Sequence, residues 1–523
     1  MTTVHTYKTE QDNHTMSRNV HLHDEDIESD VKDTTLIETQ GVPDHDDEAV
    51  TMPPNLRALT EEERNAMEKA IVRKADMVIM PVIGLLYILN YVDRQNLASA
   101  KLQGIMEDLN MTTQQFATAI SILFVGYLPL QLPSNLLISR LSRPGLYICS
   151  AALIWGSISA ATAAVNSYGA LLAIRIILGG VEAVFFPGAI YLLSAWYTKN
   201  ELGKRIGGLY LAQQVGNAFG GLFAAACLKM DGLHGIRGWR WLFIIEGVAT
   251  VGVAALSAFV LPEYPYNARL LKPLERELAV YRLEREAGAA EGSENVGTWQ
   301  GFKSCLADPK VYIFIFCNMM SQCQGSIANF FPTIVKTLGY NSTNTLLLTA
   351  PPFVFAAGFY MGMTWLSDKR NTIYPIIMGC IGLAIITYAI PMATTNIGVR
   401  YAAMILMPCS SVGPQLMLYK AINHHMPRPL AKRAATIAMM NAIGGTSNIW
   451  ASYLWFKGPR YYAAFSTLIA SAVVFAITIT AYRFFVRHQN KLLDSQEPEK
   501  VKKAIKFGVT QQQVEMGWRY EGF

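Results

Sequence analysis

Five ionisable residues stand inside stretches that are otherwise apolar: Asp93, Arg94, Arg175, Glu182 and Glu246. A charge at bilayer depth costs several kcal/mol, with scales running from ~3 to above ~10 kcal/mol, so each needs a reason to be there. Arg175 and Glu182 are seven residues apart. Seven steps of ~100° bring a helix back to nearly the same face, which sets the two side chains ~10 Å apart along one stripe. If the helix carrying Asp93 and Arg94 lies beside them, the four charges form one cluster of zero formal charge. Protonating one carboxylate leaves the cluster at +1, which suits one organic anion bound with one proton. Desolvation favours the neutral form of a buried carboxyl, so Glu182 and Asp93 are the candidates for the proton. The competing structural reading is a pair of fixed salt bridges, Asp93 with Arg175 first among them. Glu246 lies only a few residues into its run, after Arg240 and Trp241. It reads as an interfacial residue.

The elements that must hold these groups follow from composition. The chain has 523 residues, 51% hydrophobic and only 16% charged, against about 25% charged in soluble proteins. From residue 76 onward, twelve apolar stretches recur near 76–98, 116–138, 145–165, 168–191, 206–228, 240–261, 310–332, 345–366, 372–392, 397–419, 432–456 and 461–485. Each is about the ~20 residues a helix needs to cross a bilayer, and only helices satisfy their own backbone there. The expectation is an all-α membrane protein of twelve transmembrane helices in two six-helix halves. Its parts are a disordered acidic cytosolic tail (1–72), a first half (73–261), a cytosolic linker (262–309), a second half (310–485) and a cytosolic tail (486–523).

The net charge of +5 divides into −11 over residues 1–70 and +16 over the rest. The basic excess sits in short clusters between apolar runs, so it argues for membrane topology and against nucleic acid. With the N-terminus in the cytosol, inner segments and span ends carry sixteen Lys and Arg and outer ones eight, as the positive-inside rule requires. Both termini are then cytosolic. The sequons at Asn110 and Asn341 fall in outer loops, where glycosylation is possible. In the linker, Leu271, Leu274, Leu278 and Tyr281 share a helical face amid Lys and Arg, the pattern of an interfacial helix on the inner leaflet. The seven cysteines have no metal-ligand spacing and read as buried apolar residues. No cofactor motif or nucleophile–base pair stands out, so an enzyme is not expected.

A faint repeat supports two related halves. Leu202-Gly203-Lys204-Arg205 returns as Leu430-Ala431-Lys432-Arg433, an offset of 228 that also relates Ser139 to Ser367. Parallel halves of this kind describe a transporter with a site between them near mid-depth. Uncharged polar residues available to such a site include Tyr91, Asn96, Tyr127, Gln213, Gln214, Asn217, Gln415 and Asn441.

The run Tyr91-Val92-Asp93-Arg94-Gln95-Asn96 resembles the first-span signature of the anion:cation symporter branch of the major facilitator superfamily. Arg175 and Glu182 with Phe186-Pro187-Gly188 resemble its fourth span. Leu132-Pro133-Ser134-Asn135, Gly238-Trp239-Arg240-Trp241 with Glu246-Gly247, and Phe331-Pro332-Thr333 are similar to the fungal allantoate, nicotinate and pantothenate permeases. The resemblance covers about residues 71–523. It implies that Arg94 engages a substrate carboxylate with help from Tyr91, and that Asp93 and Glu182 carry proton coupling. It also places Tyr127, Gln213 and Asn441 along the substrate path. Ser139–Gly145 departs from the superfamily's usual motif after span two, while Asp368, Lys369 and Arg370 keep the second-half gating copy.

These readings combine into a plasma-membrane carrier, functional as a monomer, that imports a small organic anion with protons by alternating access. The alternatives are an exporter of an acidic metabolite or drug, a sugar porter and a nutrient sensor that does not transport. Asn217 stands where proton antiporters often carry proline, which favours uptake. Leu261-Pro262-Glu263-Tyr264-Pro265 has some likeness to a sugar-porter motif, but the Arg–Glu cluster has none.

Overall fold

The computed structural model describes residues 52–138, 140–291, 298–426, 430–456, 458–495, 499, 519–520 and 522–523. Expectations resting on most of the acidic tail, on Ser139 and on part of the linker lie outside the described residues. Among those described there is no strand. The first half is built from α1 (Glu61–Ala100), α2 (Thr113–Ile138), α3 (Pro144–Thr162), α4 (Tyr168–Ser194), α5 (Lys199–Leu228) and α6 (Gly238–Val260). Two linker helices follow, α7 (Pro273–Glu291) and α8 (Thr298–Ala307). The second half contains α9 (Pro309–Gly325), α10 (Ala350–Arg370), α11 (Tyr374–Ala393), α12 (Ile397–His425), α13 (Leu430–Gly445) and α14 (Tyr462–Asp494).

Nine spans are long and apolar enough to cross a membrane by those criteria alone, among the described residues. The other three, α5, α9 and α13, are recognised by their place in the bundle. α5 is too polar, and α9 and α13 are short helices continued by the turns Phe331–Lys336 and Ser447–Ala451. Helix starts follow local chemistry. Thr60 and Glu63 form a reciprocal capping box at α1, Ser167 caps α4 through the Ala170 N–H, and Pro144 and Pro309 occupy first-turn positions where a missing N–H costs nothing.

The two halves pack alike. In the first, α1 lies on α5, α2 on α4 and α3 on α6; in the second, α9 lies on α13, α10 on α12 and α11 on α14. These are the same pairs under a six-span shift. The sequence repeat marks a matching contact. Arg205 on α5 forms a bidentate pair with Asp76 on α1, at 2.6 and 2.9 Å. Lys432 on α13 lies 2.6 Å from Asp308, the cap of α9. Each pair pins the first and fifth spans of its half at the end of the bundle where α1 begins, called here the proximal end. The halves meet at the opposite, distal end. There Gln95 donates to the Ala328 carbonyl at 3.2 Å and Thr118 meets the Tyr453 hydroxyl at 3.0 Å. One apolar cluster runs through both halves, joining Leu97, Phe116 and Ala224 to Phe330, Phe331 and Leu346. A separate cluster fills the proximal part of the first half.

Three boundaries differ from expectation. α1 starts at Glu61, upstream of the boundary at 72, because the Thr60 box caps it there. At the other terminus, α14 continues to Asp494 and the last residues fold back. The Gly522 carbonyl accepts from the Ile373 and Tyr374 N–H groups, and the Tyr520 hydroxyl accepts from Lys310 Nζ at 2.9 Å. The linker helix does not offer its apolar face to lipid. Leu271, Leu278 and Tyr281 are buried in the proximal cluster of the first half. Arg282 donates to the Trp196 carbonyl at 2.7 Å and pairs with Glu201 at 3.1 Å. The apolar stripe read as a lipid anchor is a docking face for protein.

Lys74 fastens α7 through Glu275 at 2.7 Å. Burial works against the Glu275 carboxylate, but the Lys74 ammonium and the Lys272 N–H outweigh it and hold its pKa below the ordinary value. A depressed pKa means that this stabilisation is present above the unfolded value of about 4.3 and is lost as pH falls through the folded one. Limited proteolysis of the linker should therefore accelerate in acid. Glu275→Gln should cleave faster at neutral pH and lose the acid response.

Candidate functional site

The charged residues converge where α1, α3, α4 and α6 meet. Pro187 lacks the N–H that would bond the Ala183 carbonyl, and α4 breaks at Ala183–Val184, directly after Glu182. α2 and α4 touch backbone to backbone at glycines. A Cβ on Gly126 would strike the Ile176 carbonyl, and one on Gly179 the Leu123 carbonyl. This approach brings Tyr127 over the end of Arg94. α3 and α6 use the same device at Gly156 and Gly247, where a Cβ on Gly247 would strike the Ala160 N–H.

Arg94 Nε donates to Glu182 Oε2 at 2.8 Å. The guanidinium carbon lies 4.7 Å from the Tyr127 ring centroid and 5.3 Å from that of Tyr91, within cation–π range. Glu182 is fully enclosed, while the Arg94 side chain keeps 15% of its surface exposed. An arginine with two aromatic walls, one carboxylate and an open side has donors left for a second carboxylate. The aromatic wall continues through Tyr87, Phe186 and Tyr210 to Tyr419 of the second half, with Tyr210 and Tyr419 rings 6.4 Å apart. Tyr419 in turn donates to Asn441. Tyr91, Tyr127 and Asn441 thus belong to one chain of contacts leading from Arg94 across to α12 and α13. Gln213 is half-buried one turn beyond Tyr210 and has no hydrogen-bond partner among the described residues.

The pairing differs from the salt bridge of Asp93 with Arg175 that heads the competing structural reading. Arg175 forms no ion pair within 4.0 Å among the described residues. Its Nε donates to the Ala119 carbonyl at 3.3 Å, and its Nη1 is buried without a partner. Asp93 turns to the Ser159 hydroxyl on α3, at 2.9 Å. The same hydroxyl lies 2.8 Å from Glu246 Oε2, and Thr250 donates to Glu246 Oε1 at 2.8 Å. Glu246 is 1% exposed, so the interfacial reading is corrected: two turns of α6 carry it into the packed interior. The cluster therefore holds two cations and three acids. Ser159 and Glu246 are the members that sequence reasoning missed. The available signal was the pairing of Glu246 with Gly247, an acid beside a residue that lets helices touch.

Asp368, Lys369 and Arg370, the residues expected to gate, lie at the proximal end of α10. Asp368 pairs with Lys420 of α12 at 2.6 Å, Lys369 Nζ sits 4.9 Å from the Trp365 ring centroid, and Arg370 is exposed. Asn110 and Asn341 are exposed in distal loops, Asn341 as a helix cap. All seven cysteines are buried.

Residues 83–451 match the Major Facilitator Superfamily. The uncharacterized transporter C1683.12 of Schizosaccharomyces pombe is 31% identical over 429 residues, spanning 81% of this chain and 88% of that one. The MFS-type transporter cnsO of Penicillium expansum is 30% identical, spanning 82% and 85%. The partially occluded, inward-open xylose transporter XylE from E. coli superposes with a TM-score of 0.58 at 16% identity, covering 77% of this chain and 99% of that one.

The glycine contacts give a direct test of how the site is assembled. Gly126→Val should push α2 from α4 and destabilise the purified protein by about 1–3 kcal/mol, the usual range for overpacking. Gly84→Ala, where nothing lies within 4 Å, should leave the thermal midpoint nearly unchanged.

Proposed function

Because the chain belongs to the Major Facilitator Superfamily, and is thus a multi-pass membrane transporter and not an enzyme, we propose that it imports a small organic anion together with protons. The observation that carries this reading is Arg94, held between Tyr91 and Tyr127 and neutralised on one side by Glu182. A substrate carboxylate takes the open face of the guanidinium. Protonation of Glu182 frees Arg94 for it, which links anion and proton in one step. Asp93 is the second proton-coupling acid, and Arg175 adds positive potential from the distal side. Tyr210, Tyr419, Gln213 and Asn441 line the path toward the second half and suit an aromatic or amide-bearing monocarboxylate. This agrees with the anion:cation symporter signature and the likeness to allantoate, nicotinate and pantothenate permeases.

The proximal end then faces the cytosol with both termini, the distal loops carry any glycans at Asn110 and Asn341, and the carrier works as a monomer in the plasma membrane. The distal contacts between halves form the outer closure. Asp368 and Lys420, with Lys369 and Arg370 beside them, belong to the inner gate, and the halves rock about the site between them.

The test is uptake of a panel of labelled carboxylates in cells expressing the chain, compared at about pH 5 and about pH 7.5 to read proton dependence. Arg94→Ala should remove a charge-assisted contact of about 1.5–3 kcal/mol and lower uptake of the preferred anion by about tenfold to over a hundredfold. Glu182→Gln should retain residual uptake but lose its acid stimulation. Efflux from preloaded cells with no uptake would overturn the import reading.

A further inference from the structure

Behind the Arg94–Glu182 pair, on the side away from the aromatic path, two carboxyl groups share one small alcohol. Ser159 Oγ lies 2.9 Å from Asp93 Oδ1 and 2.8 Å from Glu246 Oε2. A serine hydroxyl has one proton and can donate to only one of them. The second contact is a hydrogen bond only if the other carboxyl carries a proton and donates to the serine oxygen. With both ionised, one would face the lone pairs of Ser159 at contact distance, buried and unsolvated. Asp93, Ser159 and Glu246 are all at most 1% exposed, so water cannot relieve that repulsion.

The surrounding charges give the same count independently. The groups facing Asp93 are Arg94 on its own helix, Arg175 and Glu182 on α4, Ser159 on α3 and Glu246 on α6. Thr250 completes the Glu246 side, and Tyr127 of α2 faces Arg94. Two arginines against three ionised acids leave −1, and one added proton makes the cluster neutral. Arg175 is 3% exposed and its Nη1 has no hydrogen-bond partner among the described residues. This bare cation favours one negative charge on the pair and does not compensate two.

We propose that Asp93 and Glu246 hold a single resident proton between them through Ser159, a proton site distinct from Glu182. The proton comes from solution. One carboxyl O–H donates to Ser159 Oγ, and the Ser159 O–H donates to the other carboxylate, so the pair carries −1 in the anion-free protein. The consequence for coupling rests on the proposed function: an incoming anion meets a cluster that is already neutral, and balancing it needs a second proton, taken at Glu182.

Infrared spectroscopy of the purified full-length chain in lipid nanodiscs, with no substrate present, tests the site without any transport. At neutral pH the wild type should show a protonated-carboxyl C=O band that shifts in heavy water. Glu246→Gln and Asp93→Asn should each abolish it, since the remaining single acid can accept the Ser159 O–H without a proton of its own. Glu182→Gln should keep it. Either acid variant carries the test if the other fails to fold. No such band in the wild type, or one that persists undiminished in either acid variant, would overturn the proposal. Absence of carboxylate uptake would overturn the function proposed above and leave this band unaffected.

Discussion

The arrangement depends on the cost of ionised groups in a low-dielectric interior. Five of them lie within one membrane bundle; four are at most 3% exposed, and Arg94 keeps 15% of its side chain open. Each must be met by an opposite charge, a hydrogen-bond donor or a proton. Arg94 is met by Glu182 and two tyrosine rings, and Glu246 by two hydroxyls. A helix rotated by one residue would break several of these contacts at once. The charges therefore fix the rotation of α1, α4 and α6 more tightly than apolar packing could, since lipid-facing and core-facing aliphatic residues are chemically alike.

Meeting that demand needs close approach, and glycine supplies it. α2 against α4 and α3 against α6 are backbone-to-backbone contacts, which place short side chains such as Ser159 within reach of acids on the next helix. These two glycine contacts lie within a half. Between halves, the apolar cluster and polar contacts gather at the distal end, while ion pairs such as Asp76–Arg205 and Asp308–Lys432 hold each half together proximally. Under the proposed rocking of the halves, such motion breaks few contacts inside either half.

The linker shows how one sequence pattern serves two environments. Leu271, Leu278 and Tyr281 form an apolar stripe among charged residues, and such a stripe suits a leaflet as well as a groove in protein. The decision came from partners far away in sequence, with Trp196, Glu201 and Lys74 supplying polar contacts around the stripe. Lipid headgroups offer no such fixed set.

The sequence by itself determined the spans, because a run of about twenty apolar residues has one stable state in a bilayer whatever its neighbours do. It also determined which residues were costly, and so nominated Asp93, Arg94, Arg175 and Glu182. The repeat at Lys204-Arg205 and Lys432-Arg433 indicated two related halves. What the tertiary structure decided was partnership. Spacing put Arg175 and Glu182 on one face but could not choose between Asp93 with Arg175 and Arg94 with Glu182. Ser159 looked like any small residue until Gly156 and Gly247 brought α3 against α6, and Glu246 looked interfacial until α6 was seen to start well before it. Burial cost is a property of each residue and its run, and so can be read along the chain. A hydrogen bond or ion pair requires two atoms within about 3 Å, and that distance is set by helix rotation and approach, which only the assembled bundle defines.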